Sequence, residues 1–104
     1  MWHKKKGADM KEPKITVFIA RPETDYLEQA EIDNTLETMQ KIVGGYIETV
    51  TLSKDIVLIC NEEGRLKGLQ PSARILGEVY FGNVILAGYD EDGEFCSIPL
   101  DFVS

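Results

Sequence analysis

The sequence predicts an α+β fold, a single small domain in which one helix packs on a face of a mainly antiparallel sheet. Three observations lead to this prediction. The chain has 104 residues, of which 43% are hydrophobic, so it supports one core and is too short for two. One stretch has the apolar spacing of a helix, and several others have the β-branched and aromatic composition of strands. The strands stand before and after the helix, as they do in α+β domains.

Two strands are predicted before the helix. Residues 14–20 read KITVFIA, an apolar run on both faces that is typical of an interior strand covered on both sides. Residues 26–32 alternate instead, with Tyr26, Ala30 and Ile32 on one face and polar residues on the other. This alternation predicts a half-exposed strand.

The helix is predicted to begin after Asn34 and to end at Gly44. Asn34 and Glu37 have the spacing of a capping box, in which both side chains accept backbone N–H groups at the helix start. Lys41 lies near the negative end of the helix dipole, and Gly44 stands where a left-handed residue ends many helices. An apolar stripe at spacings of three and four residues faces the sheet. It consists of Leu36, Met39, Ile42 and Val43.

Two further strands follow the helix, over residues 46–52 and 55–61, and Ser53 and Lys54 join them. The second strand contains IVLIC, the most continuously apolar segment of the chain. A strand that is apolar on both faces is covered on both faces. We therefore expect this strand to be central in the sheet.

A hairpin is predicted near the end of the chain. Residues 79–88 and 94–98 have strand composition, and they flank the turn sequence Asp-Glu-Asp-Gly of residues 90–93. Gly82 interrupts the first of these strands and indicates a β-bulge.

The charge is unevenly distributed along the chain. Residues 1–14 carry five lysines against two acids, a balance of +3, so the other ninety residues carry −10 of the formal total of −7. An acidic body repels phosphates, so we expect no nucleic acid binding by the folded domain. We expect residues 1–13 to be a disordered tail and residues 14–104 to form the domain.

The sequence also predicts a cytoplasmic protein without membrane contact. No apolar run approaches the roughly 18 to 20 residues that cross a bilayer. Residues 1–13 contain charge but no apolar stretch of the kind found in signal peptides. In a reducing compartment Cys60 and Cys96 are expected to be reduced structural thiols, with one disulfide between them as the alternative.

Catalytic and cofactor chemistry is not indicated by the residues. The only histidine is His3, so a histidine base or a His-ligated metal would have to be built from the tail. Cys60 lies within an apolar strand, where a thiol is protonated and inert. The acids of residues 90–94 lie on a short turn, which cannot wrap a calcium ion as a loop of about twelve residues does. We predict no catalytic residue, no cofactor and no metal site, which favours a protein that is not an enzyme.

Three basic residues form a local exception to the acidic body. Arg65, Lys67 and Arg74 are half of the six basic residues after Lys14, and they lie in or near the loop of residues 64–74, GRLKGLQPSAR. They are the candidate contact for a partner or an anion. The alternative is that they balance neighbouring acids on a solvated loop, since surface ion pairs are common and contribute little to stability.

Three segments carry a resemblance to a known family: KIVGGYIE, ICNEEGRLKGLQP and FGNVILAGYDEDGEF. They resemble the small uncharacterised proteins catalogued as domain of unknown function 3846, which occur in bacteria, their phages and mobile elements. The resemblance covers about residues 15–100 and implies a shared fold but no activity. The matching turn and core residues are Gly44, Gly45, Tyr46, Glu48, Asn61, Glu62, Gly64, Gly68, Leu69 and Pro71. Where the family has an Asn-Arg pair just after the proline, this chain has Ser72, Ala73 and Arg74.

Three classes of function remain open. The favoured class is a non-catalytic accessory or protein-interaction module of a phage or mobile element, which binds another protein through a sheet edge or through residues 64–74. The second class is an acidic DNA mimic that blocks a nuclease or a restriction system; the charge of the body favours it, but the sequence lacks long acidic helices that space charges like phosphates. The third class is a carboxylate-based enzyme or a small-ligand binder. The expected partner is thus another protein, and the sequence leaves the oligomeric state open.

Overall fold

The structure is a computed structural model that describes residues 12–99. These residues form eight strands and one helix. In chain order the elements are β1 (Lys14–Ala20), β2 (Leu27–Asp33), α1 (Leu36–Val43), β3 (Ile47–Ser53), β4 (Ile56–Asn61), β5 (Pro71–Ile75), β6 (Glu78–Phe81), β7 (Val84–Tyr89) and β8 (Phe95–Cys96).

The main sheet has the strand order β2-β1-β7-β4-β3, and β8 pairs with the end of β7. Every pairing in it is antiparallel. Strands β5 and β6 form a separate antiparallel hairpin. The predicted α+β class, with one helix and a mainly antiparallel sheet, is confirmed.

The sheet is covered on both faces, and each face has its own apolar cluster. The helix packs on the first face, where the buried residues are Ile15, Val17, Ile19, Ile32, Met39, Val43, Val57, Ile59, Ile85, Ala87 and Phe95. The β5–β6 hairpin packs on the second face, where the buried residues are Phe18, Ala20, Leu58, Cys60, Val84, Leu86 and Ile98. The strands that read as apolar on both faces are therefore the interior strands, because both of their faces are covered.

The prediction that β1 and β4 are interior strands of the sheet is confirmed. β1 has the predicted bounds, and β4 is an interior strand that lies between β7 and β3. The middle position itself belongs to β7. Strand β2 begins one residue later than predicted, at Leu27, and Tyr26 lies before it with 64% of its surface exposed. Tyr26 is thus a connection residue and does not share the inner face of Ala30 and Ile32.

The start of the helix corrects the predicted cap. Thr35 is the N-cap, and its side chain accepts the backbone N–H of Thr38 at 3.2 Å. Asn34 is instead buried, and its Nδ2 donates to the backbone C=O of Glu12 and of Phe95. Both Asn and Thr are good caps, and the tertiary contacts decide between them. The predicted end is confirmed, with Gly44 in the left-handed conformation.

Residues 79–88 are not one strand with a bulge, as the sequence predicted. They divide into β6 and β7, which belong to different sheets, and the chain changes sheet at Gly82 and Asn83. Gly82 has φ 78°, and a Cβ added there would meet the side chain of Leu69 at 2.7 Å. The glycine therefore permits a change of direction at which a larger residue would clash.

Strand β5 begins inside the segment of residues 64–74 that was predicted to be a loop and ends just after it, at Ile75. Its residues 71–75 pair with β6, and the hairpin they form covers the second face of the sheet. The predicted strand over residues 94–98 is shorter than expected, because only Phe95–Cys96 pairs with β7. After β8, the N–H of Ile98 donates to the C=O of Thr16 at 2.9 Å, which directs the chain across β1.

The tail predicted for residues 1–13 lies almost wholly outside the described residues, as does His3. Its last two residues contact the body: a side-chain oxygen of Glu12 accepts the N–H of Ser97, and the C=O of Pro13 accepts the N–H of Asn34. No helix within residues 12–99 is long and apolar enough to cross a membrane.

Candidate protein-interaction site

Asn61 holds together the end of the sheet at which β3 begins and β4 ends. Only 6% of its surface is exposed. Its Nδ2 donates to the C=O of Val43 at 3.1 Å, and its Oδ1 accepts the N–H of Glu63 at 2.7 Å. A buried side-chain amide whose N–H and C=O groups are both hydrogen-bonded holds its partners in place. Breaking either hydrogen bond would leave a buried polar group without a partner, which costs free energy. Asn61 therefore joins the end of the helix to the turn after β4.

Gly45 allows the helix end to approach this turn. A Cβ added at Gly45 would lie 2.9 Å from Nδ2 of Asn61 and 3.6 Å from Nζ of Lys67. A contact of 2.9 Å is too short for a Cβ, so a larger residue here would displace the Asn61 amide from its hydrogen bonds. The Gly-Gly pair thus has two roles, since Gly44 ends the helix and Gly45 makes room for Asn61.

The segment after β4, residues 62–69, is a compact turn fixed by its own backbone. The N–H of Glu62 donates to the C=O of Tyr46 at 2.9 Å, which extends the pairing of β3 and β4 by one residue. Further on, the N–H of Lys67 donates to the C=O of Glu63, and the N–H of Leu69 donates to the C=O of Gly64. A turn with this many internal bonds presents its side chains from a fixed backbone.

A cavity of about 260 Å³ lies between the helix end and this turn. Its lining includes Gly45, Tyr46, Asn61, Glu62, Glu63 and Lys67. Tyr46, which lines it, is 73% exposed, and Leu66, which directly precedes the lining residue Lys67 in the chain, is 86% exposed. Nζ of Lys67 lies 3.7 Å from Oε1 of Glu63. We call the exposed residues here, Tyr46, Glu62, Glu63, Leu66 and Lys67, the Tyr46 surface.

A second cavity of about 140 Å³ lies on the other side of Asn61, between β3 and the β5–β6 hairpin. Glu48, Val50, Cys60 and Tyr80 are among its lining residues. Burial, together with the charge of Glu48, raises the pKa of the Cys60 thiol to about 11. Burial also raises the pKa of Tyr80, with a smaller contribution from the charge of Glu78. Both groups are therefore neutral near pH 7, and Cys60 is a free thiol that stays protonated.

The three basic residues singled out in the sequence lie at three different cavities. Lys67 lines the first, Arg65 lines the second, and Arg74 lines a third of about 350 Å³ beside Tyr26. The guanidinium of Arg65 lies 5.5 Å from the centre of the Phe81 ring, a cation–π arrangement. Arg74 belongs to β5 and not to a loop. Their role in binding a partner stays a prediction.

Reasoning from the sequence did not select Tyr46 or Asn61 as site residues. The signals were present: a polar Asn ends an apolar strand, and an exposed aromatic follows a Gly-Gly pair. Neither signal identifies a site until the fold brings the two segments together. The fold also leaves residues 12–99 without a group of three or more metal-ligating side chains. The geometry is suited to binding, with exposed apolar groups on a fixed backbone.

The fold and the site thus define a small α+β domain with an exposed aromatic and aliphatic surface at one end of its sheet. The chain belongs to the family described as Domain of unknown function (DUF3846), which matches residues 15–104. No curated protein and no solved structure matches the chain.

Proposed function

We propose that this chain is a non-catalytic accessory protein of a phage or mobile element that acts in the cytoplasm and binds another protein through the Tyr46 surface. The observation that carries the proposal is the 73% exposure of Tyr46 on the lining of a cavity whose other side is the turn of residues 62–69, where Leu66 is 86% exposed. Tyr is enriched among the residues that dominate binding energy at protein interfaces.

The rigid backbone under this surface supports a binding role. Binding is weakened by the entropy lost when mobile loops become ordered, and a surface that is already fixed loses less. Asn61 and the internal bonds of residues 62–69 supply that order before any partner arrives.

The charge of the surface favours a protein over a nucleic acid. Glu62 and Glu63 are exposed, and the one cation of the surface, Lys67, lies against Glu63. Phosphates would be repelled by this arrangement. A DNA mimic is less well supported, because acids of β2 are neutralised locally: Asp33 pairs with Lys14, and Glu28 pairs with Arg21.

Affinity capture with matched variants tests the proposal. The full chain is immobilised in lysate of the organism that encodes it, and the retained proteins are compared with those retained by Tyr46→Ser/Leu66→Ser. The matched control is Tyr26→Ser/Leu76→Ser, which removes a tyrosine and a leucine of comparable exposure, 64% and 79%, from elsewhere.

The expected result is a protein that the wild type and the control retain and the Tyr46 variant loses, with all three chains equally folded. Retention that is equal for all three chains would contradict the assignment of this surface. Retention of nucleic acid in place of protein would contradict the function.

A further inference from the structure

Strand β3 has one edge that pairs with β4 and one that pairs with no strand of the described residues. The bond from the Glu62 N–H to the Tyr46 C=O fixes which residues face each edge. Along an antiparallel pair, every second residue of a strand directs its N–H and C=O groups to the partner strand. Counting from Tyr46, these residues are Glu48 and Val50, which therefore face β4. The residues between them direct theirs away from β4.

The open edge of β3 thus presents the backbone groups of Ile47, Thr49 and Thr51. A β-bulge between Thr51 and Ser53 ends this regular stretch. The two threonines are exposed, β-branched and uncharged. Natural edge strands are usually protected from pairing by charged side chains, by Pro or by a cover. The stretch from 47 to 51 has none of these at its outward-facing positions.

The opposite edge of the sheet, on β2, is protected. Asn34 donates its N–H to the C=O of Pro13, so by the same alternation the open edge of β2 presents Gln29, Glu31 and Asp33. All three side chains are exposed, and two of them are acids. Of the two outer strands of the main sheet, β3 is therefore the one whose outward-facing positions carry no charged side chain.

The cavity of about 140 Å³ lies on one face of β3, between β3, the end of β4 and β6. Glu48 and Val50 line it, so it is on the face of β3 to which their side chains point. A residue opposite them in an added strand would project its side chain to the same face. A cavity of about this size holds a benzene-sized group. The space therefore fits one side chain of an added strand.

The charges at this cavity select the kind of side chain. Glu48 and Glu62 are exposed carboxylates on its lining, against the single guanidinium of Arg65, which lies over the ring of Phe81. Val50 and the ring of Tyr80 supply an apolar wall. A lysine or arginine side chain suits both parts, because its stem is apolar and its end is cationic. The charge of −10 on the body beyond residue 14 also attracts a basic segment and repels a second copy of the chain.

We propose that the open edge of β3 accepts an extended basic segment of the partner protein as an added strand, with one Lys or Arg side chain of that segment in the cavity beside Glu48. The proposal rests on the proposed function to the extent that the partner is a protein. Main-chain pairing supplies the affinity in this mode of recognition, and the pocket for an alternate side chain supplies the specificity. The Tyr46 surface is continuous with this edge, since Tyr46 directly precedes β3.

The test uses the full chain and the peptide TKVKVKVT, acetylated and amidated, with TEVEVEVT as its acidic counterpart. Amide chemical shifts are followed during each titration. The expected result is saturable shifts at Ile47, Thr49 and Thr51 with the basic peptide and none with the acidic one. Shifts confined to β2, or no saturable shift at millimolar peptide, would overturn the proposal.

Substitutions at the two edges provide the matched controls. Thr49→Pro removes an N–H that faces the open edge and leaves the bonds to β4 in place, so it should weaken peptide binding at least about tenfold. Gln29→Pro removes the corresponding N–H on β2 and should leave the affinity unchanged. Thr49→Lys places a positive charge at the open edge, which repels the basic peptide, and should also weaken binding. This variant keeps the test valid if Thr49→Pro does not fold.

Glu48→Gln should weaken binding of the basic peptide several-fold, and Glu31→Gln on β2 should not. Equal affinity of the wild type and both Thr49 variants would overturn the proposal. A concentration-dependent dimer in sedimentation that Thr49→Pro abolishes would also overturn it, because a second copy would then occupy the edge. The capture experiment on the Tyr46 surface can succeed while this test fails, so the two proposals are separable.

Discussion

The two outer strands of the sheet, β2 and β3, differ in what stands at their open edges. β2 presents Gln29, Glu31 and Asp33, whereas β3 presents the uncharged Thr49 and Thr51. The β2 edge is therefore a poor template for another strand, and the β3 edge is a good one. We therefore expect a partner strand to bind at the β3 edge and not at the β2 edge. We also expect the acidic body to repel further copies of itself.

The surroundings of the two edges differ as well. Lys14 and Arg21 pair with acids of β2, which partly neutralises that side. The β3 side has two cavities, and Asn61 separates them. The two edges of the sheet therefore differ in both their charge and their neighbouring cavities, and the proposal places partner binding at β3.

The largest expected effect concerns the core that supports both edges. Met39 is fully buried between helix and sheet, so Met39→Asp would bury an unpaired charge and should cost several kcal/mol, which is on the order of the whole stability of a small domain. Circular dichroism should show that the Met39→Asp variant is unfolded. Ile42 is only half-buried, so Ile42→Asp should lower the free energy of unfolding less than Met39→Asp does. A native melting transition for Met39→Asp would show that the helix does not pack as described.

Asn61→Ala is expected to have the next largest effect and to act on the β3 side alone. It leaves the C=O of Val43 and the N–H of Glu63 without their partner, which should lower the free energy of unfolding by about 2 to 3 kcal/mol. Urea unfolding measures this loss. Asn34→Ala, near β2, removes two bonds of similar kind and should leave the amide shifts of residues 62–68 unchanged. If both variants disturbed that turn equally, Asn61 would not be its specific support.

Alkaline pH should weaken the β3 side through Cys60. Its pKa is raised from 9.0 to about 11, so the unfolded chain loses the thiol proton first as the pH rises. The stability that the buried neutral thiol contributes is complete below pH 9 and is lost as the pH rises to about 11. The loss should approach about 2 to 3 kcal/mol. Urea unfolding at pH 8 to 11 should show this slope, and Cys60→Ala should reduce it; identical slopes would contradict the burial of the thiol.

The smallest effect on stability is expected at the basic residues. Changing Arg65, Lys67 and Arg74 together to Ser should alter the free energy of unfolding by about 0 to 1 kcal/mol for each, because all three are exposed. Retention through the Tyr46 surface should nevertheless fall, because Lys67 belongs to that surface. Binding of the basic peptide at β3 should not weaken, because Arg65, the one cation among the residues that line the cavity there, opposes it. Since the three residues line different cavities, Lys67→Ser alone should affect the Tyr46 surface most, and Arg74→Ser least. Equal retention by the triple variant and the wild type would assign these residues to a solvated surface.

The sequence predicted the elements whose signals are local. Strand β1, the helical stripe and the end of the helix at Gly44 follow from periodicity and capping, which act within a few residues. The cap at Thr35 was missed because Asn34 and Thr35 are both good cap residues and are adjacent in the sequence. Asn34 is excluded as the cap by its hydrogen bonds to the backbone of Glu12 and Phe95, which are distant in the sequence. Strand β5 was missed because Pro71 and its polar neighbours have loop composition.

The candidate site could not be predicted from the sequence for the same reason. Tyr46 and Asn61 are fifteen positions apart, and the pairing of β3 with β4 brings them together. Gly82 was seen to interrupt a strand, but a bulge and a change of sheet give the same local signal. The cavities on either side of Asn61 are lined by several segments that are distant in the sequence, so no single segment encodes them.

Amide hydrogen exchange on the wild-type chain, alone and bound to the protein that it captures, tests the central claim most directly. The amides of Ile47, Thr49 and Thr51 face an open edge and should exchange rapidly in the free chain. We predict that a partner slows their exchange and leaves that of Gln29 and Glu31 on β2 unchanged. Slower exchange on β2 alone, or no change at the three β3 amides, would contradict the account.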